Sequence, residues 1–167
     1  MSKLKSGTIP SKSNAMQNVL LLTLLTLFYL GMNAQNENPN YDKELAASLG
    51  ADDYGMRGYY FVILKTGTNT IDDQEKVNTI FRGHMDNIGR MVKDGKLIIA
   101  GPLGKNDNQY RGLYIFTVPT KEEVEALLET DPAITEKLLA ADIYEWYGSA
   151  ALPTYLDVHK KIEKMKH

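Results

Sequence analysis

The stretch RGYYFVILKT, Arg57–Thr66, decides the fold. It is rich in aromatic and β-branched residues and is bounded by Gly58 and Gly67, which predicts a β-strand over residues 58–66. A strand with one face in water alternates apolar and polar side chains, whereas the run from Tyr59 to Leu64 is apolar without interruption. We therefore expect this strand to be buried on both faces.

The elements that follow the strand can be assigned from hydrophobic periodicity and end signals. Apolar residues recur every three or four positions from Val77 to Val92, which predicts an amphipathic helix over residues 72–93. Asp94-Gly95 ends this helix. The further predicted elements are a strand in KLIIAGPL, a strand at Arg111–Val118, a helix from the capping box TKEE at 120–123 to about 130, a turn of helix from Asp131-Pro132, a strand in ADIYEWYGS and a C-terminal helix from Pro153.

This order of elements indicates the fold class. Strand, helix, strand, strand, helix, strand is the β-α-β-β-α-β arrangement of ferredoxin-like α+β folds, in which the helices lie on one face of an antiparallel sheet. Two helices cover only one face, so strands that are apolar on both faces need a second cover. A second copy of the sheet is the simplest candidate, and the sequence therefore predicts a homodimer.

The N-terminal segment has the pattern of an export signal. Residues 19–30, VLLLTLLTLFYL, are almost wholly apolar, but a membrane-spanning helix needs about 20 such residues. Lysines before this run and Ala34 after it predict a signal peptide over residues 1–34 and a periplasmic or extracellular protein. A buried core helix and an uncleaved anchor are the alternatives, and Met16 is an alternative start. Residues 35–56 are predicted to be an N-terminal arm or linker, 57–150 the domain, and 151–167 a helical extension.

Composition excludes several classes of function. The net charge is −2 and there is no basic stripe, so we expect no nucleic-acid partner. The chain has no cysteine, which removes disulfides, thiol nucleophiles, thiolate metal sites and cysteine-linked lipid anchors. We expect no stable membrane anchor after signal cleavage. The three histidines have no ligand spacing, AGPLGK reads as a turn, and GSA is not a nucleophile elbow, so neither a metal nor a cofactor is predicted.

Two residues remain as candidates for catalysis. His84 lies beside the apolar stripe of its helix, where it is either a core histidine with satisfied nitrogens or a titrating group. Asp131 is either only a helix cap or also the partner of that histidine. A carboxylate that accepts the Nδ1 proton would leave Nε2 free as a base, which suits isomerisation of, or elimination from, a small organic molecule.

The motifs HMDNIGRMVKDGKLIIAGPL, RGLYIFTV, ETDPAI and EWYGSA, in this order and spacing, resemble a YciI-like (YCII-related) domain protein over about residues 58–150. The resemblance implies a ferredoxin-like unit that dimerises through its sheets into an α/β barrel. It also implies a pocket with a histidine–aspartate pair, which matches His84 and Asp131. One branch of the family is associated with dehydrochlorination of chlorinated hydroxyquinols. The export signal, the arm, the C-terminal helix and Ala133 depart from typical members.

The function predicted from these observations is proton transfer by an exported, dimeric lyase or isomerase, with His84 as general base and a small cyclic organic molecule as substrate. Most aromatic residues are expected to pack in the sheet. Four are expected to bind substrate: Tyr59, Phe61, Tyr114 and Trp146. The alternative is a periplasmic module of the same fold that binds a small ligand without turnover.

Overall fold

The structure, a computed structural model, describes residues 38–164. The predicted signal peptide, residues 1–34, lies outside the described residues, so export stays a prediction. The chain divides into two units between Asp42 and Lys43. Of the first unit the structure describes only residues 38–42, which include a turn at 39–40. Within the part of the chain that is described, no helix has both the length and the apolar character that crossing a membrane requires.

The elements of the unit follow the predicted order. The strands are β1 (Met56–Thr66), β2 (Leu97–Pro102), β3 (Tyr110–Phe116) and β4 (Leu139–Ser149). The helices are α1 (Lys43–Leu49), α2 (Gln74–Lys93), α3 (Lys121–Glu129), α4 (Pro132–Thr135) and α5 (Tyr155–Ile162), with a 3-10 turn at Leu152–Thr154. The α+β class and the β-α-β-β-α-β order are confirmed, and the C-terminal extension contains the predicted helix.

Side-chain caps explain where the two long helices begin. Asp73 precedes α2, and its carboxylate accepts hydrogen bonds from the backbone N–H groups of Glu75 and Lys76 at 2.9 and 3.2 Å. Thr120 precedes α3, and its hydroxyl accepts the N–H of Glu123 at 3.2 Å. Both caps satisfy donors that have no partner within the first turn of a helix. The sequence therefore predicted the first residue of α2 and of α3 to within two positions.

The four strands form one antiparallel sheet in the order β2-β3-β1-β4. β1 is a central strand and pairs with β4 over its whole length, from Met56 opposite Ser149 to Thr66 opposite Leu139. Its other edge pairs with β3, from Tyr60 opposite Phe116 to Lys65 opposite Tyr110. Successive side chains of a strand point to opposite faces, so this register assigns every side chain of β1 to one of two faces.

The helix face of the sheet carries the larger core. It includes Val62 and Leu64 of β1 together with Tyr114 and Phe116 of β3, all buried. The helices contribute Ile80, Met91, Val124 and Leu128 to the same cluster. Burial of these apolar side chains is the main force that holds the helices on the sheet.

The opposite face, which we call the second face, is partly covered by the C-terminal extension. Leu152 and Leu156 pack against a buried cluster of Tyr59, Ile98 and Ile115. The Tyr155 hydroxyl also donates a hydrogen bond to the Ile98 carbonyl. On the β1–β4 half of the second face, Tyr144 and Trp146 remain 50% and 38% exposed. The C-terminal extension thus covers part of the second face, for which the sequence had predicted only a second copy of the chain.

Helices α2 and α4 approach each other closely at Gly83. A Cβ atom added to Gly83 would lie 2.8 Å from Cγ of Pro132, a distance at which one of the two groups has to move. The proline ring cannot rotate away as a flexible side chain would. Glycine at this position therefore allows the contact that brings the start of α4 against α2.

This contact predicts different effects for two glycines of the same helix. Gly89→Ala should raise the free energy of unfolding by about 1 kcal/mol, because alanine favours helix and a Cβ at Gly89 meets nothing within 4 Å. Gly83→Ala brings the same helix preference but adds an overpacked contact that costs about 1–3 kcal/mol. Denaturant unfolding should show Gly83→Ala to be the less stable variant by that difference. Equal stabilities would contradict the close contact.

Candidate active site

The helical spacing of α2 places His84 against the sheet. The buried residues of this helix are Ile80, His84, Asn87 and Met91, which recur at three- and four-residue intervals on one side. His84 is 9% exposed, so little water reaches its ring. Its ring and the ring of Phe81 form a T-shaped pair, with the centroids 5.8 Å apart. The histidine therefore lies among apolar and aromatic groups, where its polar atoms depend on specific partners.

Asp131 is the partner of His84. Its Oδ2 lies 2.7 Å from Nδ1 of His84, and its Oδ1 accepts the backbone N–H of Ala133 at 2.9 Å. The side chain is 0% exposed. A carboxylate only accepts hydrogen bonds, so the proton of this contact belongs to Nδ1. The same carboxylate thus caps α4 with one oxygen and fixes the histidine tautomer with the other.

The second nitrogen of the ring faces Tyr114 of β3. The Tyr114 hydroxyl lies 3.5 Å from Nε2, at the outer limit for a hydrogen bond. Burial, with a smaller contribution from the Asp131 carboxylate, raises the pKa of Tyr114 far above its ordinary value. The phenol therefore stays protonated at physiological pH and can donate. Because this contact is long, the Nε2 lone pair is only weakly engaged.

Asn87 is a polar residue of this region that the sequence did not single out. Its Oδ1 accepts hydrogen bonds from Arg90 at 2.6 Å and from the Thr130 hydroxyl at 3.1 Å. Its Nδ2 is buried and has no hydrogen-bond partner among the described residues. A buried donor without a partner costs about 1–3 kcal/mol. The spacing His-x-x-Asn, which places both side chains on one helix face, is the signal that could have identified it.

The four predicted substrate-binding aromatic residues lie on different faces of the sheet. Tyr114 lies at the histidine–aspartate pair, on the helix face. Tyr59 and Phe61 belong to the cluster on the second face, and Trp146 is the register partner of Tyr59. The structure therefore brings only Tyr114 to His84. Among residues 38–164 no group of three or more His, Asp or Glu side chains could hold a metal ion.

Comparisons with known proteins identify a family. A family model described as the YCII-related domain matches residues 59–147, a little over half of the 167 residues. No curated protein sequence matches the chain. One similar solved structure is a 5-chloro-2-hydroxyhydroquinone dehydrochlorinase from Burkholderia phenoliruptrix in complex with 2,5-dihydroxybenzoquinone. It is 18% identical with a TM-score of 0.39, and the match covers 52% of this chain and 92% of that one.

The contact of Asp131 with His84 predicts a change of tautomer in Asp131→Asn. An asparagine caps a helix about as well as aspartate, so stability should change little from the cap. Its amide nitrogen would donate to Nδ1, which moves the proton of the neutral imidazole to Nε2. Nitrogen-15 NMR of the histidine ring should report this change. Asp73→Asn is the matched control, because Asp73 also caps a helix but accepts its hydrogen bonds from the backbone N–H groups of Glu75 and Lys76. An unchanged tautomer in Asp131→Asn would contradict the contact.

Proposed function

The chain belongs to the YCII-related domain family, and on that premise we propose that it is a lyase or isomerase that transfers a proton on a small cyclic organic molecule. The observation that carries this proposal is the asymmetry of the His84 ring. Nδ1 is held at 2.7 Å by a fully buried carboxylate, whereas Nε2 has only a 3.5 Å contact. A neutral imidazole with its proton on Nδ1 and a weakly engaged Nε2 is arranged as a general base.

The proposed reaction begins when Nε2 takes a proton from the substrate. The positive charge that develops on the imidazole is stabilised by the Asp131 carboxylate through the Nδ1–H bond. In an isomerisation the imidazolium returns the proton to a different carbon. In an elimination the electron pair left by the proton forms the new double bond, and the leaving group departs with its own electron pair. Both reactions use the same two residues.

Tyr114 and Asn87 supply hydrogen-bond donors for this chemistry. Because its pKa is raised by burial, the Tyr114 phenol keeps its proton and can donate to an oxygen on which negative charge develops. The Nδ2 of Asn87, which has no partner within residues 38–164, lies one turn of α2 beyond His84. A substrate oxygen that accepted from this amide would remove the cost of leaving the donor buried without a partner.

A ligand-binding module without turnover is the second candidate. The low exposure of His84 favours it, since a substrate reaches a base that is 9% exposed only if neighbouring side chains move, whereas a ligand that is bound without turnover does not have to reach Nε2. The two candidates differ in a single outcome. An enzyme releases a changed molecule, whereas a binding module returns its ligand unchanged.

The test is turnover by the His84→Gln variant. Glutamine has a side-chain nitrogen that can donate to Asp131, but it cannot act as a base near neutral pH, so turnover should fall by about 10²–10⁴-fold. A chlorinated hydroxyquinol is a suitable first substrate, because release of chloride and loss of the compound can both be measured. His159→Gln, in the exposed C-terminal helix, is the control and should keep full activity. Binding with complete recovery of unchanged compound would favour the module.

We further propose that a second copy of the chain covers the part of the β1–β4 half of the second face around Tyr144. The exposed ring of Tyr144 and the half-buried Phe61 and Ile63 form one apolar patch there, and a two-fold axis would place the same patch on both subunits. Light scattering should give the mass of a dimer, and Tyr144→Lys should weaken it. A monomer at micromolar concentration would contradict this proposal.

Export is proposed from the sequence of residues 1–34 alone. Cleavage after Ala34 would give a mature protein that begins at Gln35. Mass measurement on protein purified from its native host would give this N-terminus. Intact Met1 in the cytosolic fraction would overturn it.

A further inference from the structure

A cavity of about 650 Å³ lies at the end of the sheet beyond β3. Pairing of β1 with β3 stops at Tyr60 opposite Phe116, while pairing with β4 continues to Met56 opposite Ser149. The first residues of β1 therefore have β4 on one side and the cavity on the other, with residues 117–119 forming part of its wall. Its volume is within the range of small-molecule sites, and neither His84 nor Asp131 lines it.

Arg57 supplies the positive charge of this cavity. Its guanidinium lies over the ring of Tyr59, with Cζ 5.4 Å from the centroid, and its Nη1 donates to the Leu49 carbonyl at 3.2 Å. None of the ion pairs among the described residues includes Arg57. A guanidinium has five N–H donors, so most of them remain for a ligand. Arginine without an acidic partner in a cavity wall favours an anion with a planar, two-oxygen group.

Gly148 leaves room for the indole of Trp146, which forms the aromatic side of the cavity. Trp146 is the register partner of Tyr59, with ring centroids 5.6 Å apart, and its indole lies over Gly148. A Cβ added to Gly148 would lie 2.4 Å from Cη2 of Trp146, so a larger residue would displace the indole. Gly148 is itself the register partner of Arg57. The indole, the phenol ring and the guanidinium therefore belong to two neighbouring cross-strand pairs on the second face.

The charge of the cavity limits the charge of its ligand. Among the described residues that line it, Arg57 alone is basic, and Glu145 reaches it from the helix face as the register partner of Tyr60. A phosphate or a dicarboxylate would bring two or more negative charges to this single guanidinium. A monoanion with a flat apolar body fits better.

We propose that this cavity binds a small aromatic carboxylate, with its carboxylate on Arg57 and its ring against the exposed indole of Trp146. Arg57 would make two parallel N–H···O bonds, the geometry that guanidinium and carboxylate share. Binding here does not depend on the chemistry of His84, because that residue lies on the helix face. The site is therefore a second site, apart from the proposed active site.

The sole tryptophan of the chain makes the test direct, since Trp146 is the only indole that fluoresces. The full chain is titrated with 4-hydroxybenzoate and, in parallel, with the neutral 4-hydroxybenzamide of nearly the same shape. A saturable change in indole emission is expected with the acid. Because hydrogen bonds to a charged group are worth about 1.5–3 kcal/mol, the amide should bind about tenfold more weakly or worse. Protein concentration is held constant so that association does not alter the signal.

Variants separate this site from the rest of the molecule. Arg57→Gln should weaken binding of the acid about tenfold or more and leave the amide unaffected. Gly148→Ala should weaken both compounds, because the indole is displaced. Arg82→Gln, an exposed arginine of α2, is the matched control, and His84→Gln shows independence from the proposed active site; both should bind as the unaltered chain does.

Three results would overturn the proposal: no saturable change with the acid, equal affinities for acid and amide, or unchanged binding in Arg57→Gln. If Arg57→Gln does not fold, the comparison of the two ligands on the unaltered chain still decides the matter. Arg57→Lys then serves as the second variant. It keeps the charge but loses the paired donors, so it should bind the acid several-fold more weakly.

Discussion

The structure depends on the two-sidedness of β1. This strand lies inside the sheet with partners on both edges, and its side chains alternate between two faces that both have to be kept from water. Tyr60, Val62 and Leu64 belong to the core under the helices, while Tyr59 and Phe61 belong to the cluster on the second face. One strand thus organises two cores, and each core supports its own arrangement of polar groups.

The sequence predicted the elements far better than it predicted their faces. Caps such as Asp73 and the Asp131-Pro132 step act locally, so they can be read from a few residues. Alternation of polar and apolar residues shows which side chains of a strand lie on the buried face. The apolar run of β1 has no such alternation, so the sequence does not assign its side chains to faces. For this reason Tyr114 and Trp146 could be assigned to one pocket, although the register places them on opposite faces. The cover supplied by Leu152 and Leu156 was missed because it depends on tertiary packing.

The histidine–aspartate pair shows how a short helix can be held by one carboxylate. Pro132 has no backbone N–H, so Asp131 caps α4 with one oxygen alone, which accepts the N–H of Ala133. The other oxygen, fully buried, needs a donor of its own, and the His84 ring provides it. Because an uncompensated buried charge is costly, the contact between Asp131 and His84 holds α4 against α2. The close packing of Pro132 on Gly83 holds the same two helices together. Asn87 was missed since its role depends on Thr130, far away in sequence.

The place of β1 in the chain also determines the order in which the molecule can form. Of the strands in residues 38–164, β1 is the first to be synthesised, yet one of its two edges pairs with β4, the last of them, with Met56 opposite Ser149. Such distant pairings slow folding, since the intervening loop has to close before any contact forms. Until then the nascent chain presents an apolar strand with an open edge, the kind of surface that pairs with other chains. Chaperones that bind extended apolar segments would therefore find their target in residues 57–66 throughout synthesis.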